Sequence, residues 1–428
     1  MTSMLKVMVS VFCFLFSSCC FSTVIEYHLE TQSRLGYHLV SPSDLSSHRH
    51  ELESNNIIRF SNIWSLGAGL RAFVESAYAS NSSRYPDPVR IRDSQDFILR
   101  DLYLQYKSGP ITLRLGSQQI VWGEAFGFYY ADLVNPKDFR DFGIGPLEKN
   151  RLHTPLVNFK WNFKEHILQL LYIPKPHFNK TPSIGSDFSF PFTQFSQGSS
   201  VTFDDERTLP IGLNNAEYGG RFSPSFTGID LSLLYLNYFD RAPVYLSSTG
   251  PGGMAVKGRH LRMETFGVTL SLPVRSWVIR SELLFNHGKH FNNFVGQLDS
   301  FRADEIIAVL GLDYIVGDRW RMGIQISENY RTKSVPGALA PPSTQSITGH
   351  GSVTLIEDTT LDGLIAYAPH DGGSLVELSY MIPLSKRIEL LLAVDLFNGS
   401  RSSQFGLYRP ASRGYVQIKT FLGNEVKL

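Results

Sequence analysis

Between Ile111 and Arg151 the chain gathers its densest set of side chains able to do chemistry: Arg114, Gln118, Trp122, Glu124, Asp132, Asn135, Asp138, Arg140, Asp141 and Arg151. Guanidinium and carboxylate at this density suit two tasks. Opposed charges across a narrow aqueous passage set a transverse field that orders dipolar solutes and tunes ion preference. The same charges can instead pair with one another and with neighbouring strands to pin a loop, in which Asn135-Pro136 makes a turn. Phe126, Phe128, Tyr129 and Tyr130 add aromatic surface that suits either the stacking or sliding of a solute or an interfacial girdle. Both pairs of readings stand open on the residues alone.

Catalytic patterns are missing. There is no Gly-x-Ser-x-Gly elbow and no His-Glu-x-x-His pair. His48, His50, His287 and His290 fall in expected loops, and Gly288 opposes the helix on which His287 and His290 could share a metal. Asp204-Asp205-Glu206 reads as a solvated run rather than a calcium site. The cysteines, Cys13, Cys19 and Cys20, all lie near the N-terminus, which leaves the rest of the chain without thiol chemistry or a disulfide framework. No catalytic residue, metal or cofactor is expected, and no enzyme activity. Lysines and arginines (40) nearly equal aspartates and glutamates (39), without a long basic run, so nucleic acid is not an expected partner.

The elements that must position these residues begin after a leader. Lys6, the apolar run Val7 to Phe16 and the small polar stretch Ser17-Ser18-Cys19-Cys20 follow the plan of a signal peptide over residues 1–22, cleaved near Ser22. Lipidation at Cys19 or Cys20 is the alternative, weakened by Phe16, which stands where lipoprotein boxes prefer a small aliphatic residue. Beyond it no segment reaches the roughly eighteen consecutive apolar residues of a membrane helix. Apolar residues instead alternate. Trp320, Met322, Ile324 and Ile326 take one phase, and Arg321, Gly323, Gln325 and Ser327 the other. The same split separates Ile111, Leu113 and Leu115 from Thr112, Arg114 and Gly116. A strand sends the two sets to opposite faces, and runs of about nine to twelve residues match a tilted strand crossing a bilayer.

Short turns alternate with long polar loops. The short set includes Ser65-Leu66, Ser108-Gly109, Asn162 to Glu165, Pro273 to Ser276 and Leu384 to Arg387. The long set includes Ser41 to Glu53, Asn81 to Gln95, Trp122 to His153, Lys175 to Asn214, Asp240 to Gly258, Lys289 to Arg302 and Arg331 to Gly349. The pattern predicts an all-β fold: one closed antiparallel transmembrane barrel over residues 23–428, with about eighteen strands, or sixteen, short periplasmic turns and long external loops. The apolar phase slips after Met263 in Leu261 to Leu272, which suggests a bulge there. The loop at 122–154 is placed to fold inward, with Gln118, Trp122 and Glu124 continuing the lumen phase of Arg114. Lys175 to Asn214 is read as a mobile external lid, with a cap or plug of the mouth as the alternative.

One block is more specific. Leu-Arg-Asp-Leu-Tyr-Leu-Gln-Tyr from Leu99, Gln-Gln-Ile-Val-Trp-Gly-Glu from Gln118 and Asn-Pro-Lys-Asp from Asn135 resemble the outer-membrane domain-of-unknown-function family 1302. The resemblance continues through Pro155 to Pro174, Asn215 to Pro243 and Gly373 to Leu422. The family usually has Arg where Ser117 stands, which puts an ion pair there in doubt. It implies a porin-like barrel in the outer membrane of a Gram-negative bacterium, passing small or amphiphilic and hydrophobic molecules, passively or coupled to a partner such as an inner-membrane lipid-type exporter. Outer-membrane lipid, lipopolysaccharide and the barrel-assembly machinery are the other expected partners. The last strand, Tyr415 to Leu422, looks like the one such barrels present to that machinery. An outer-membrane hydrolase and a surface or assembly role are the competing functions.

Overall fold

A computed structural model describes residues 23–427, apart from 42, 124, 126–127, 142–146, 190–200, 205–207, 251–252 and 318. The proposed leader therefore lies outside the described residues.

Antiparallel neighbours follow one another along the chain until the sheet meets itself: Val24–His38 pairs on one side with Leu45–Arg59 and on the other with Arg413–Lys427. Of the nineteen strands in this sheet, Ser225–Phe226 is a two-residue rim segment, so eighteen strands cross the wall among the described residues. Closure leaves no strand edge unpaired, which is what a sheet in hydrocarbon requires. Leu310 and Ile324 are 59% and 51% exposed on the outer face, while Gln325, next along the chain, is 5% exposed on the inner. No helix of the described residues is long and apolar enough to cross a membrane.

The outer face carries its amphipathic aromatics at the end with short turns. Trp64 packs on Tyr106 with ring centres 5.0 Å apart, and Trp277 on Tyr314 at 4.3 Å. Trp161 and Trp320 are exposed at the same end. This is one girdle of a membrane barrel, where rings with a polar edge meet the headgroups.

Several boundaries differ from the sequence reading, for one recurring reason: lumen-facing strand residues are as polar as loop residues. The first short turn is residues 60–63, not Ser65-Leu66, which lie in the strand Trp64–Glu75. The Ser61 hydroxyl accepts from the Ile63 and Trp64 amides and closes it. The segment Ser41 to Glu53 is mostly strand, with Ser47, Arg49, Glu51 and Glu53 facing the lumen. Lys289 to Arg302 is a projecting hairpin of Trp277–Phe294 and Leu298–Val316, supported by a Lys289–Glu305 ion pair at 2.8 Å. His287 and His290 therefore sit on a strand, with His287 against Asp304 at 3.0 Å.

The bulge expected after Met263 is absent. Arg262–Val274 keeps unbroken register with both neighbours, and Met263 simply points an apolar side chain inward. A bulge lies instead in Gln95–Ser108, where Arg100 and Asp101 together oppose Gly69 and both line the lumen. Nor is the lumen polar throughout. Leu156, Leu171, Leu234, Leu236, Leu284 and Ile307 form a dry patch on one inner wall. Over the long-loop mouth, Val244–Gly250, Gly253–Arg259 and Val201–Asp204 form a separate three-stranded sheet.

The two faces predict different responses to charge. Ile324→Arg places a cation in hydrocarbon and is expected to cost about 2–4 kcal/mol, whereas Arg321→Ala on the lumen side costs less than about 0.5 kcal/mol. Urea unfolding in lipid vesicles measures both, and equal costs would contradict the assigned faces.

Candidate functional site

The strand Ile111–Gln118 hands the chain to residues 119–153, which turn into the barrel. Trp122, Ala131, Val134 and Ile120 pack on the dry inner patch, with Trp122 only 1% exposed. Burying a ring of this size excludes water from its surroundings, so the indole N–H needs a partner. It finds Gln169 Oε1 at 3.0 Å. The Gln169 amide donates to Asn158 Oδ1 at 2.9 Å, and Asn158 donates to Gln118 Oε1 at 3.0 Å. These three strand residues and one loop residue form a single hydrogen-bonded row across adjacent strands. Asn135 holds the loop's base: its Oδ1 accepts from the Ile120 amide at 2.8 Å and its Nδ2 donates to the Leu152 carbonyl at 2.9 Å.

Glu282, on Trp277–Phe294, grips the loop from elsewhere on the wall. Its carboxylate is buried and accepts from the Ala125 amide at 2.8 Å and the Ala131 amide at 3.0 Å. Gly123 is required beside it, because φ is +94° and a Cβ would lie 2.8 Å from Glu282 Oε1. Further along, the Tyr130 hydroxyl meets Ser327 Oγ at 3.1 Å on Trp320–Arg331, and Phe128 packs near Phe405. Phe128 and Tyr130 thus lie inside the barrel rather than in a headgroup girdle. The loop crosses the lumen from wall to wall.

The charges of its described residues are paired. Asp132 accepts from Arg151 Nε at 2.8 Å, with Lys137 at 3.7 Å. Burial pulls Lys137 below its usual pKa in spite of Asp132. Arg140 grips Asp138 through two nitrogens and reaches Asp96 at 2.7 Å. Asp141 meets Arg34 at 2.5 Å and Arg413 at 2.8 Å, with Arg49 farther off at 3.9 Å. Burial would raise the Asp141 carboxyl, but these guanidiniums hold it well below the usual carboxylate range. Low dielectric makes such pairs strong once formed and costly to break. These contacts tie the described part of the loop to the wall, as a pinned loop requires.

Arg114 stands apart from this network, in a cavity of about 400 Å³ between the loop and the wall, lined also by His28, Glu30, Glu53, Asp101 and Tyr103. Ser117 donates to the Arg100 carbonyl at 2.8 Å, so the strand is tied there without an ion pair. Glu124 and Phe126 lie outside the described residues.

Part of the Lys175 to Asn214 segment also bears on the mouth. Asp187 meets His38 at 3.1 Å, Arg84 at 2.9 Å and the Tyr85 hydroxyl at 2.8 Å, and Phe188 is buried against Phe397 and Tyr408. His38 also contacts Asp44 at 2.8 Å. The described part of the segment caps the barrel.

The family described as "Protein of unknown function (DUF1302)" matches residues 45–353. This chain belongs to that family. No curated protein matches it. Among solved structures, the DUF1302 barrel is similar to a loop L8 deletion mutant of OmpT, an outer membrane protein of Vibrio cholerae. Identity is 10%, coverage 94% of this chain and 100% of that one, and the TM-score 0.47. It is also similar to Salmonella typhi OmpF in complex with daunomycin, at 10% identity, 93% and 97% coverage and a TM-score of 0.46. A mutant of Rh. blastica porin gives 11% identity, 93% and 100% coverage and a TM-score of 0.42.

Within the DUF1302 barrel, the sequence-predicted residues divide into three groups. Gln118, Trp122, Asp132, Asn135 and Arg151 meet at the loop's base, and Asp138, Arg140 and Asp141 bind the arginine-bearing wall. Arg114 faces the cavity, apart from both. Sequence reasoning missed the receiving side: Asn158, Gln169, Glu282, Arg34, Arg49 and Arg413. Glu282 did carry a signal, as the carboxylate between the apolar triplets Trp277-Val278-Ile279 and Leu283-Leu284-Phe285.

Glu282→Ala leaves two buried amides without acceptors and is expected to cost about 3 kcal/mol or more. Amide exchange at Ala125 and Ala131 should accelerate, and exchange at the wild-type rate would remove Glu282 as the loop's anchor. The cap has a different signature. Burial alone would raise the Asp187 carboxyl, but His38 and Arg84 hold it below the usual range. A depressed folded pKa gives stability that is complete above the unfolded value near about 4 and is lost as pH falls through the folded one. Acidification below about pH 4 is therefore expected to release the cap to protease. Asp187→Asn should do so at neutral pH, and a protected cap in that variant would contradict the assignment.

Proposed function

We propose that this DUF1302 barrel is a porin-like channel in the outer membrane of a Gram-negative bacterium, passing small or amphiphilic molecules by a passive or partner-coupled route. The observation that carries the reading is the loop 119–153, which crosses the lumen yet leaves a polar cavity of about 400 Å³ beneath it. A volume of that order takes a small solute and excludes a folded chain. The dry inner patch beside Trp122 offers an apolar surface next to this polar space, which favours solutes with both characters. Chemistry on the solute forms no part of the proposal. Lipid, lipopolysaccharide and the assembly machinery are the partners such a barrel needs. An inner-membrane lipid-type exporter is the partner proposed for coupled transport.

Planar-bilayer recording of the purified protein is the test. The wild type is expected to give small, discrete conductance steps, and deletion of residues 126–144 larger steps with weaker ion preference. A silent bilayer from heat-modifiable, correctly folded protein would overturn the channel. Unchanged steps after the deletion would overturn the loop's role as its constriction.

A further inference from the structure

The cavity beneath the loop holds one guanidinium, that of Arg114, with no carboxylate in contact with it among the described residues. Three carboxylates line it, and each has its own partner: Glu30 with Lys149 at 2.5 Å, Glu53 with Arg100 at 2.7 Å and Asp101 with the His153 imidazole at 3.2 Å, a contact that is an ion pair only when that ring is protonated. Arg114 has none among the described residues. Its Nε donates to the neutral Gln105 Oε1 at 2.6 Å, and its guanidinium lies over the Tyr103 ring at 4.8 Å. The ring can lie there because Gly67 is behind it: a Cβ at Gly67 would come within 2.4 Å of Tyr103. Stacking and one amide therefore fix the plane of the guanidinium while its two terminal nitrogens keep their donors. A rigid fork of this kind matches the two oxygens of a carboxylate or phosphate.

The neighbouring wall adds positive charge. Lys160 belongs to Thr154–Phe163, whose Thr154 and Asn158 oppose Gln118 and Arg114 in register. It does not itself line the cavity, but it has no carboxylate partner among the described residues, and the charges acting on it are those of Arg114 and Arg221. A second cation beside a fixed guanidinium raises the local concentration of anions in a low-dielectric cleft.

We propose that this cavity is a binding site for small soluble solutes bearing a carboxylate or phosphate group, gripped by Arg114 with Lys160 alongside. The inference rests on the lumen being the solute path and names the class of solute that takes it. The same chemistry could recognise an anionic lipid headgroup. The site's place inside the lumen, on strand positions opposite the lipid-facing Leu113 and Leu115, favours a soluble solute.

Calorimetric titration of the full protein in nonionic detergent, with inorganic phosphate, benzoate and neutral glycerol as probes, tests this at low salt. Phosphate and benzoate are expected to bind and glycerol not. Arg114→Gln should weaken binding by about tenfold or more, and Arg114→Lys by less, since it keeps the charge and loses the fork. Lys160→Gln should weaken it severalfold, and Arg321→Gln, outside the cavity, should leave it unchanged. Heat-modifiable migration confirms that each variant folds, and Lys160→Gln carries the test should Arg114→Gln not fold. Wild-type affinity in the Arg114 and Lys160 variants, or no anion binding by the wild type, overturns the proposal. Repetition in nanodiscs separates the sources. Equal phosphate binding with phosphatidylcholine and with phosphatidylglycerol supports a soluble solute, and loss with phosphatidylglycerol overturns it in favour of lipid. Conductance without anion binding would sink this inference alone, and anion binding with a silent bilayer would sink the channel alone.

Discussion

A closed sheet standing between lipid and an inner space must satisfy every backbone hydrogen bond within itself, and its side chains then divide by parity except at a bulge. All else in this barrel follows from that division. The outward set is mostly apolar because hydrocarbon favours apolar groups, with Ser33, His50, Ser54 and Asn56 on the first two strands as hydrogen-bonded polar exceptions. The inward set is free to vary, and it does: one wall is arginine and carboxylate, another is leucine and isoleucine. A loop entering such a space meets two chemistries and answers both, with Trp122, Ala131 and Val134 toward the dry wall and Asp138, Arg140 and Asp141 toward the charged one.

Pinning a loop in a lumen carries an electrostatic cost. Buried carboxylates and guanidiniums lose hydration, and only dense pairing offsets the loss. The network around Asp141 meets this condition with more than one cation per carboxylate, and the Glu282 carboxylate meets it with backbone amides. Because pairing is so dense around the loop, a cation with no carboxylate among the described residues of the cavity below acquires meaning. Arg114 is held as carefully as the others, by a ring and an amide, but toward open space rather than toward a partner.

The barrel itself was legible in the residues. Alternation in Arg319 to Ser327 and Ile111 to Gly116, the rhythm of short turns and the conspicuous block from Gln118 to Asp138 lead to a closed barrel with an inward loop, without any contact being known. Errors fell where parity and polarity conflict. Ser47 to Glu53 looks like loop because its lumen face is charged, and Met263 looks like a slipped register because its lumen face is apolar. Local composition reports the neighbourhood of a side chain, and inside a barrel that neighbourhood belongs to residues far away in the chain.

The sequence by itself determined the period of two, hence the strands, their number to within about two and the sheet's need to close, since those depend on each residue's own preference for lipid or water. Only the tertiary structure decided which charges meet. Asp141 finds Arg413 across 272 positions, and Ala125 finds Glu282 across 157. Pairing energies of this kind depend on distance and burial, and neither is written in the order of the residues. Whether the charges near Asp138 set a field or pinned a loop, and that Arg114 meets no carboxylate among the described residues, were therefore matters for the fold.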